Sequence, residues 1–404
     1  MRIAITANGP GEVAGWFRPL ARALYAHDPR TEIVLFLVPD DYASGAEAQM
    51  AREWFPQARV LDPKEYVAFA LGRRVDDAPQ NADIVQYLGG DLMHAARLHK
   101  RLGGAVTTYK FSRAKFRQTF VRAFAVDAKN VAELQAAGIP DERIRTVGNL
   151  AIDGALLEAE QPAEPQAPDD GILIMPGSRA HEVAELIPFF FTAARRMLRE
   201  RPSLRIAFGI SPFSSLENVR AAIERGGDPR TWAERGRMTH RDGVAFLESM
   251  DGLTRVPIVH NALAAARRAR LVLTLPGTKA IEVAALGIPI VSITPANAPE
   301  KVVINGPLTY LDRIPVVGAA LKGAAVLAYA KRFRYHTQPN MDLNEMTICE
   351  LHGTLSPGRV ARVALERYDD RQWQQTTGAK LRALYAGHAG AADRMAASLL
   401  ELHA

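Results

Sequence analysis

Short apolar runs alternate with amphipathic stretches along most of this chain. RIAITA (2–7), EIVLFLV (32–38), DIVQYLG (83–89), AVTTY (105–109) and RAFAVD (122–127) predict strands. The stretches at 12–26, 43–54, 91–102 and 130–138 carry helical spacing, the last closed by Gly138. The alternation breaks at 156–170, LLEAEQPAEPQAPDD, which is rich in Pro, Ala and acid and predicts a linker. It then restarts with strands at GILIM (171–175), LRIAFGI (204–210) and TRVPIV (254–259), and with helices at 180–200, 215–225 and 261–269. Leu271–Leu275, a helix from Thr278 to Gly287 and Ile288–Ile293 continue the series. Near-continuous apolar strands separated by helices indicate parallel sheets covered on both faces. The pattern therefore predicts an α/β protein of two doubly wound, Rossmann-like domains. The first is 1–157, the linker 158–170 and the second 171–371, with helices at about 372–404 returning to the first. Ligands of such sheets sit beyond the carboxyl ends of the strands, and a cleft between two facing domains is the default site.

Bulk properties narrow the classes. The 404 residues are 48% hydrophobic and 23% charged, which suits globular domains with cores of their own. A single cysteine, Cys349, excludes an internal disulfide and a cysteine zinc cluster, and fits a reducing compartment. MRIAITANGPGE enters a strand at once and lacks the apolar core of a secretory signal. The net charge of +6 comes from two stretches without acids. One is 110–122, with Lys110, Arg113, Lys115, Arg117 and Arg122; the other is 313–341, with Arg313, Lys322, Lys331, Arg332 and Arg334. Phe111, Phe116 and Phe120 interleave the first. The apolar run 314–330 lies in the second, too short for a comfortable membrane span and with Lys322 at its middle. Basic residues mixed with apolar ones suit an anionic membrane surface, through 110–122 and 313–334, better than nucleic acid. A buried helix is the plainer account of 314–330.

Two turns carry candidate chemistry. PGSRAHE (176–182) and PGTKAIE (276–282) share one pattern: Pro-Gly, a hydroxyl, a base and a glutamate, each after a strand and before a helix. Free amides and the partial positive charge of a helix start favour an anion there. Gly177, Ser178 and Arg179, with Gly277, Thr278 and Lys279, form a candidate diphosphate cradle. Glu282 is placed for the two hydroxyls of a ribose. Either turn alone is read equally well as helix capping; two in one domain point to a shared anionic ligand. At the N-terminus, Gly9, Gly11 and Gly15 come close to a dinucleotide fingerprint, with one residue too many between the last two glycines, and Asp40 and Asp41 would then take the ribose of NAD. Glu12, at the tip of that loop, instead favours a neutral, hydroxyl-rich ligand. Asp91 follows a strand end and is read as a general base, or as the N-cap of the helix 91–102. His94 and His99 read as helix-surface residues, and His181 and His260 are given no proton transfer.

Six stretches together resemble lipid A disaccharide synthase and its GT-B glycosyltransferase relatives. They are NGPGEVAG (8–15), LGGDLMHAARLHKRLG (88–103), RTVGNLAIDG (145–154), LIMPGSRAHEV (173–183), LPGTKAIEVAALGIPIV (275–291) and QPNMDLNEMTICELHGTLSP (338–357). In the first stretch the chain departs from the family, with Ala14 and Trp16 at the family's Ser and Asp positions. The resemblance implies a GT-B fold and an inverting, metal-independent transfer from a UDP-sugar to a lipid-linked sugar acceptor. The C-terminal domain would bind the donor, with a base near Val259 and His260 and with Asn340 and Glu345 near the nucleotide. Gly9, Gly11 and Gly15 would line the acceptor side, Asp91 would be the first choice of catalytic base and Glu12 the second. No resident cofactor is implied. The resemblance also implies a peripheral enzyme on the cytoplasmic face of the inner membrane, and a homodimer. A nonhydrolysing UDP-sugar epimerase, an NAD-dependent oxidoreductase and a noncatalytic nucleotide-sugar binder remain alternatives.

Overall fold

The computed structural model describes residues 1–40, 43–111, 116–299, 323 and 332–402. Asp41, Arg113, Lys115, Arg313, Lys322, Lys331 and the apolar run 314–330 (Gly323 apart) lie outside the described residues, and so does most of the expected membrane segment. The chain divides into two compact units. Unit 1 is Met1–Leu157 with Tyr385–Ala404, and unit 2 is Glu158–Leu384.

Unit 1 is built on a fully parallel sheet of seven strands: β1 (Arg2–Ala7), β2 (Glu32–Leu37), β3 (Arg59–Leu61), β4 (Ile84–Tyr87), β5 (Ala105–Tyr109), β6 (Phe120–Ala125) and β7 (Ile144–Thr146), in the order β3-β2-β1-β4-β5-β6-β7. Helices α1 (Pro10–Glu12), α2 (Arg18–His27), α3 (Glu47–Trp54), α4 (Pro63–Ala70), α5 (Leu92–Leu102), α6 (Ala128–Ala136) and α7 (Leu150–Ala159) alternate with the strands. Every residue of β4 is buried, so the apolar run reports cover on both sides. The sequence pattern missed β3, β7 and α4. Yet α4 is announced locally: Asp62 accepts from Lys64 N and Glu65 N, and Glu65 accepts from Asp62 N, a complete capping box. The strand order reverses between β1 and β4, where successive connections run off in opposite directions.

The expected return of 372–404 is narrower in the structure. Residues up to Leu384 belong to unit 2, and only the segment from Tyr385 joins unit 1. Its helix Ala391–Leu400 is clamped by Asp153, whose carboxylate accepts from Gly390 N (2.7 Å) and Ala392 N (2.6 Å). Burial pushes the Asp153 carboxyl above its ordinary range, against those two amides, which pull it down. Arg122 pins the same helix, donating to Ser398 O and Oγ. Arg122 is thus a packing residue. Phe120 is 2% exposed and Phe111 stacks on Tyr87; of the three phenylalanines only Phe116 is exposed. Among the described residues no helix is long and apolar enough to cross a membrane.

Unit 2 carries an eight-stranded sheet. Its strands are β8 (Ile172–Met175), β9 (Ile206–Gly209), β10 (Gly236–Arg241), β11 (Val244–Ser249), β12 (Arg255–Val259), β13 (Leu271–Thr274), β14 (Ile290–Pro295) and β15 (Cys349–Gly353). The order is β10-β11-β12-β9-β8-β13-β14-β15. The pairs from β12 to β15 are parallel, while β10 and β11 form an antiparallel hairpin at one edge. The sequence pattern overlooked that hairpin although Asp242-Gly243, both with positive φ, marks its two-residue turn. Helices α8 (Ala180–Glu200), α9 (Leu216–Arg225), α10 (Ala262–Arg268), α11 (Thr278–Ala285), α12 (Gln338–Leu343), α13 (Pro357–Asp369) and α14 (Arg371–Tyr385) complete the described elements. Phe189, Phe190 and Phe191 of α8 are fully buried in the core with Phe208 of β9. The switch point of this sheet lies between β8 and β13.

The Pro-rich linker is fastened to unit 2. Glu164 accepts from His260 N (2.8 Å) and Asn261 N (3.4 Å), Pro162 O from Asn261 Nδ2 (3.0 Å), and Asp170 O from the Tyr368 hydroxyl (2.8 Å). Arg268 and Arg270 pair with Asp169 and Asp170.

Candidate functional site

β8 and β13 are adjacent and in register, Met175 opposite Thr274, and the Thr274 hydroxyl donates to Met175 O (3.0 Å). The two Pro-Gly turns that follow these strands therefore stand side by side at the carboxyl edge, on the switch point. The Ser214 hydroxyl donates to Ser178 O (3.1 Å), tying the exit of β9 to the same place.

The matched heptapeptides use their glutamates in opposite ways. Glu182 turns back on its own helix and accepts from Ser178 N (3.0 Å) and Arg179 N (3.2 Å). Gly177, at φ 107°, makes room for it: a Cβ there would stand 2.3 Å from Glu182 Oε2. The amides of Ser178 and Arg179 are thus already capped by a carboxylate. Gly177 serves that cap, and the half-buried Arg179 guanidinium lies 3.9 Å from the same Glu182 carboxylate. Around Gly277, at φ 130°, nothing lies within 4 Å of a would-be Cβ among the described residues, and among them no side-chain cap of α11 is seen. Thr278, expected as a cap, is instead the exposed first residue of the helix.

Glu282 is 3% exposed, and its Oε2 lies 2.6 Å from Lys279 Nζ. The pair is close but out of line, since Oε2 takes no hydrogen bond of regular geometry. Burial raises the Glu282 carboxyl above its ordinary range; Lys279 pulls it down less than burial lifts it, and Glu158 adds to the rise. The residue expected to hold a ribose is thus a buried, costly carboxylate closed over by a lysine, one turn into the helix.

A cavity of about 300 Å³ opens beside the two turns. Arg179, His181, Glu185 and Asn297 line its polar part, and Leu186 and Phe189 its apolar part.

Other expected donor residues are occupied by the fold. The Val259 carbonyl accepts from Ile210 N and the His260 amide donates to Glu164, so this backbone is committed to neighbours. Asn340 is fully buried: its Nδ2 donates to Ile348 O (2.8 Å) and Glu350 Oε1 (2.7 Å), and its Oδ1 accepts from Thr347 N and Ile348 N. It knits the approach to β15 together. Glu345 is exposed and paired with Lys380. Glu350, which the sequence did not single out, is the hub of that knot, accepting also from His336 N and Thr337 N.

Unit 1 has its own switch-point cluster. The Glu12 carboxylate accepts from Asn8 N (3.0 Å) and lies flat on the backbone of Gly89, where a Cβ would stand 1.8 Å from Oε2. Asp40 accepts from Asn8 Nδ2 (3.3 Å). Gly9 caps α1 by its carbonyl, which accepts from Glu12 N and Val13 N. Gly11 is half-buried. Gly15 is buried in a π-helical turn, Val13–Phe17, and packs against Gly154 of α7, where it serves helix packing. Asp91 is exposed and caps α5, accepting from Met93 N (2.8 Å). His94, expected on the helix surface, is half-buried, and its Nδ1 is 2.6 Å from the Tyr66 hydroxyl. His99 is held to Gly104 O (2.9 Å). Among the described residues no group of three or more His, Cys, Asp or Glu is placed to hold a metal ion.

No family model matches the chain. A stretch of 120 residues is 31% identical to lipid-A-disaccharide synthase of Ruegeria pomeroyi, covering 30% of this chain and 26% of that protein. The match thus spans about a quarter of the curated relative's length. Solved structures are similar over nearly the whole chain. A putative UDP-N-acetylglucosamine 2-epimerase from Listeria monocytogenes superposes with a TM-score of 0.59 at 15% identity, covering 99% of this chain and 95% of that one. MnaA of S. aureus, solved with UDP, gives 0.58 at 14%, covering 98% and 94%. UDP-GlcNAc 2-epimerase from Methanocaldococcus jannaschii gives 0.55 at 13%, covering 99% and 100%. Likeness at these identities shows the fold: two Rossmann-like sheets, as the strand pattern predicted, of the GT-B type that the resemblance implied.

Proposed function

We propose that this chain is an enzyme acting on a UDP-sugar, with its nucleotide held by the two Pro-Gly turns of unit 2. The observation that carries the reading is the start of α11 at the switch point, open among the described residues, beside Arg179 and one turn before a buried carboxylate. The diphosphate lies on the first turn of α11, where amides and the helix dipole favour an anion. Arg179 supplies the charge that the capped turn of α8 withholds. The ribose hydroxyls donate to Glu282 and take the place of the Lys279 ammonium, which is freed toward the diphosphate. An NAD site on the N-terminal glycine loop is disfavoured by Glu12, whose carboxylate covers the Asn8 amide and would repel a pyrophosphate.

Two chemistries fit such a site. Epimerisation of the sugar on its nucleotide has the broader support, because the similar structures named for it cover almost the entire chain. Transfer to a lipid-linked acceptor is supported by the 120-residue match to a lipid-A-disaccharide synthase and by the motifs that resemble its family. An epimerase inverts a carbon by removing hydrogen from one face and restoring it on the other, so it needs no second substrate. A transferase leaves the sugar unchanged until an acceptor arrives.

The test is proton NMR of UDP-GlcNAc with the protein in D2O, without acceptor. A new epimer carrying solvent deuterium supports epimerisation. An unchanged sugar alongside tight UDP binding leaves transfer as the chemistry. The absence of both turnover and UDP binding would sink the UDP-sugar reading.

A further inference from the structure

The Tyr66–His94 pair stands at the switch point of unit 1 and is unused by anything above. Tyr66 comes from α4 and is 1% exposed; His94 comes from the first turn of α5. Their rings meet edge to face, centroids 5.3 Å apart, and the phenol hydroxyl lies 2.6 Å from Nδ1. Burial pushes the Tyr66 phenol up to about 12, so the hydroxyl keeps its proton and donates it. Nδ1 is then an acceptor, and the neutral ring carries its proton on Nε2. The His94 amide donates to Asp91 O (2.9 Å). The ring edge faces Gly90, whose carbonyl is held by the Tyr87 hydroxyl (2.7 Å). The Gly89–Asp91 turn is therefore gripped at both ends.

We propose that His94, its Nδ1 held by the Tyr66 hydroxyl, is the positioning partner of Asp91, fixing the turn that carries it. This rests on the UDP-sugar reading and on Asp91 as proton acceptor. The charged and titratable groups bearing on the ring are Tyr66 from α4 and Asp91 and Arg97 from its own helix; Val38, which packs against Gly90 from the end of β2, is apolar. Burial holds His94 below the ordinary imidazole range, with Asp91 opposing and Arg97 assisting. A protonated ring would neutralise the Asp91 carboxylate and weaken it as a base. The phenol opposes this, because its hydroxyl bonds only the unprotonated Nδ1.

The test compares Tyr66→Phe and His94→Gln with the parent protein in kcat/KM against pH on the UDP-sugar that is turned over, with UDP affinity and Tm as controls. Tyr66→Phe frees Nδ1, so the acid limb moves up by roughly half to one pH unit, the worth of one hydrogen bond. His94→Gln lowers kcat at least tenfold with UDP affinity unchanged. An acid limb that stays put in Tyr66→Phe overturns the proposal, since a purely structural pair would change Tm or scale activity evenly across pH. Activity of His94→Gln within about threefold of the parent overturns it as well. If the parent turns over no UDP-sugar, the functional reading fails and this inference falls with it; turnover with an unmoved limb defeats the inference alone.

Discussion

Replacing Glu282 by Gln separates a ligand-binding carboxylate from a structural ion pair. Glu282 is 3% exposed and paired with Lys279, whose side chain is 23% exposed. Removing one partner of a fully buried pair costs about 3–5 kcal/mol. Here the surviving ammonium can reach water along its own stem, and the neutral amide avoids the desolvation that raises the carboxyl. The fold should therefore change by no more than about 1 kcal/mol, or about 2–4 °C in Tm for a unit of this size. The pH dependence has a definite sign. The folded-state carboxyl titrates above its unfolded value, so its contribution is fully present below the unfolded pKa and is lost as pH rises through the folded one. The variant should match the parent in stability near pH 4 and gain on it as pH rises. Binding moves the other way. Two ribose hydroxyls on a carboxylate make charge-assisted bonds of about 1.5–3 kcal/mol each, and Gln keeps one neutral acceptor. The expected loss is about 2–3 kcal/mol, roughly 30- to 150-fold in UDP affinity. Calorimetric titration with UDP and thermal melts at pH 5 and pH 8 read both effects. UDP affinity unchanged within threefold, or a Tm drop above 10 °C, would refute the assignment of Glu282 to the ribose.

Gly277→Ala meets open space but a backbone at φ 130°, a conformation side chains rarely adopt, so it should cost about 1–3 kcal/mol and weaken UDP binding, read by melts and titration. Gly89→Ala places a Cβ 1.8 Å from Glu12 Oε2 and should abolish turnover while leaving UDP affinity intact; combining it with Glu12→Ala should restore most of the lost stability, so additive losses in the double variant would contradict the close packing. Asp153→Ala removes both acceptors at Gly390 and Ala392 and should cost about 1–3 kcal/mol, seen as faster hydrogen exchange confined to Ala391–Leu400; unchanged exchange there would dismiss the clamp.

The sequence by itself determined the two parallel sheets, because a strand buried on both faces must be apolar along its whole length and a covering helix must be amphipathic. It also marked both Pro-Gly turns, since only a few residue types suit a tight strand-to-helix turn. It was less informative where partners are distant in the chain. β3 and β7 are too short to show a period, and the hairpin β10–β11 half-exposes its residues at a sheet edge. The family resemblance places Asn340 near the nucleotide, yet its amide groups are taken by backbone and by Glu350. Arg122 read as a membrane contact because its neighbours are basic, yet its guanidinium reaches a helix 276 residues away. The two heptapeptides make the division plainest. PGSRAHE and PGTKAIE offer the same groups at the same offsets, but Glu182 folds back onto its own amides while Glu282 is buried against Lys279 and leaves α11 open among the described residues. Local sequence sets which groups stand near a helix start; the path of the glycine turn and the neighbours brought in by the sheet decide which amides stay open.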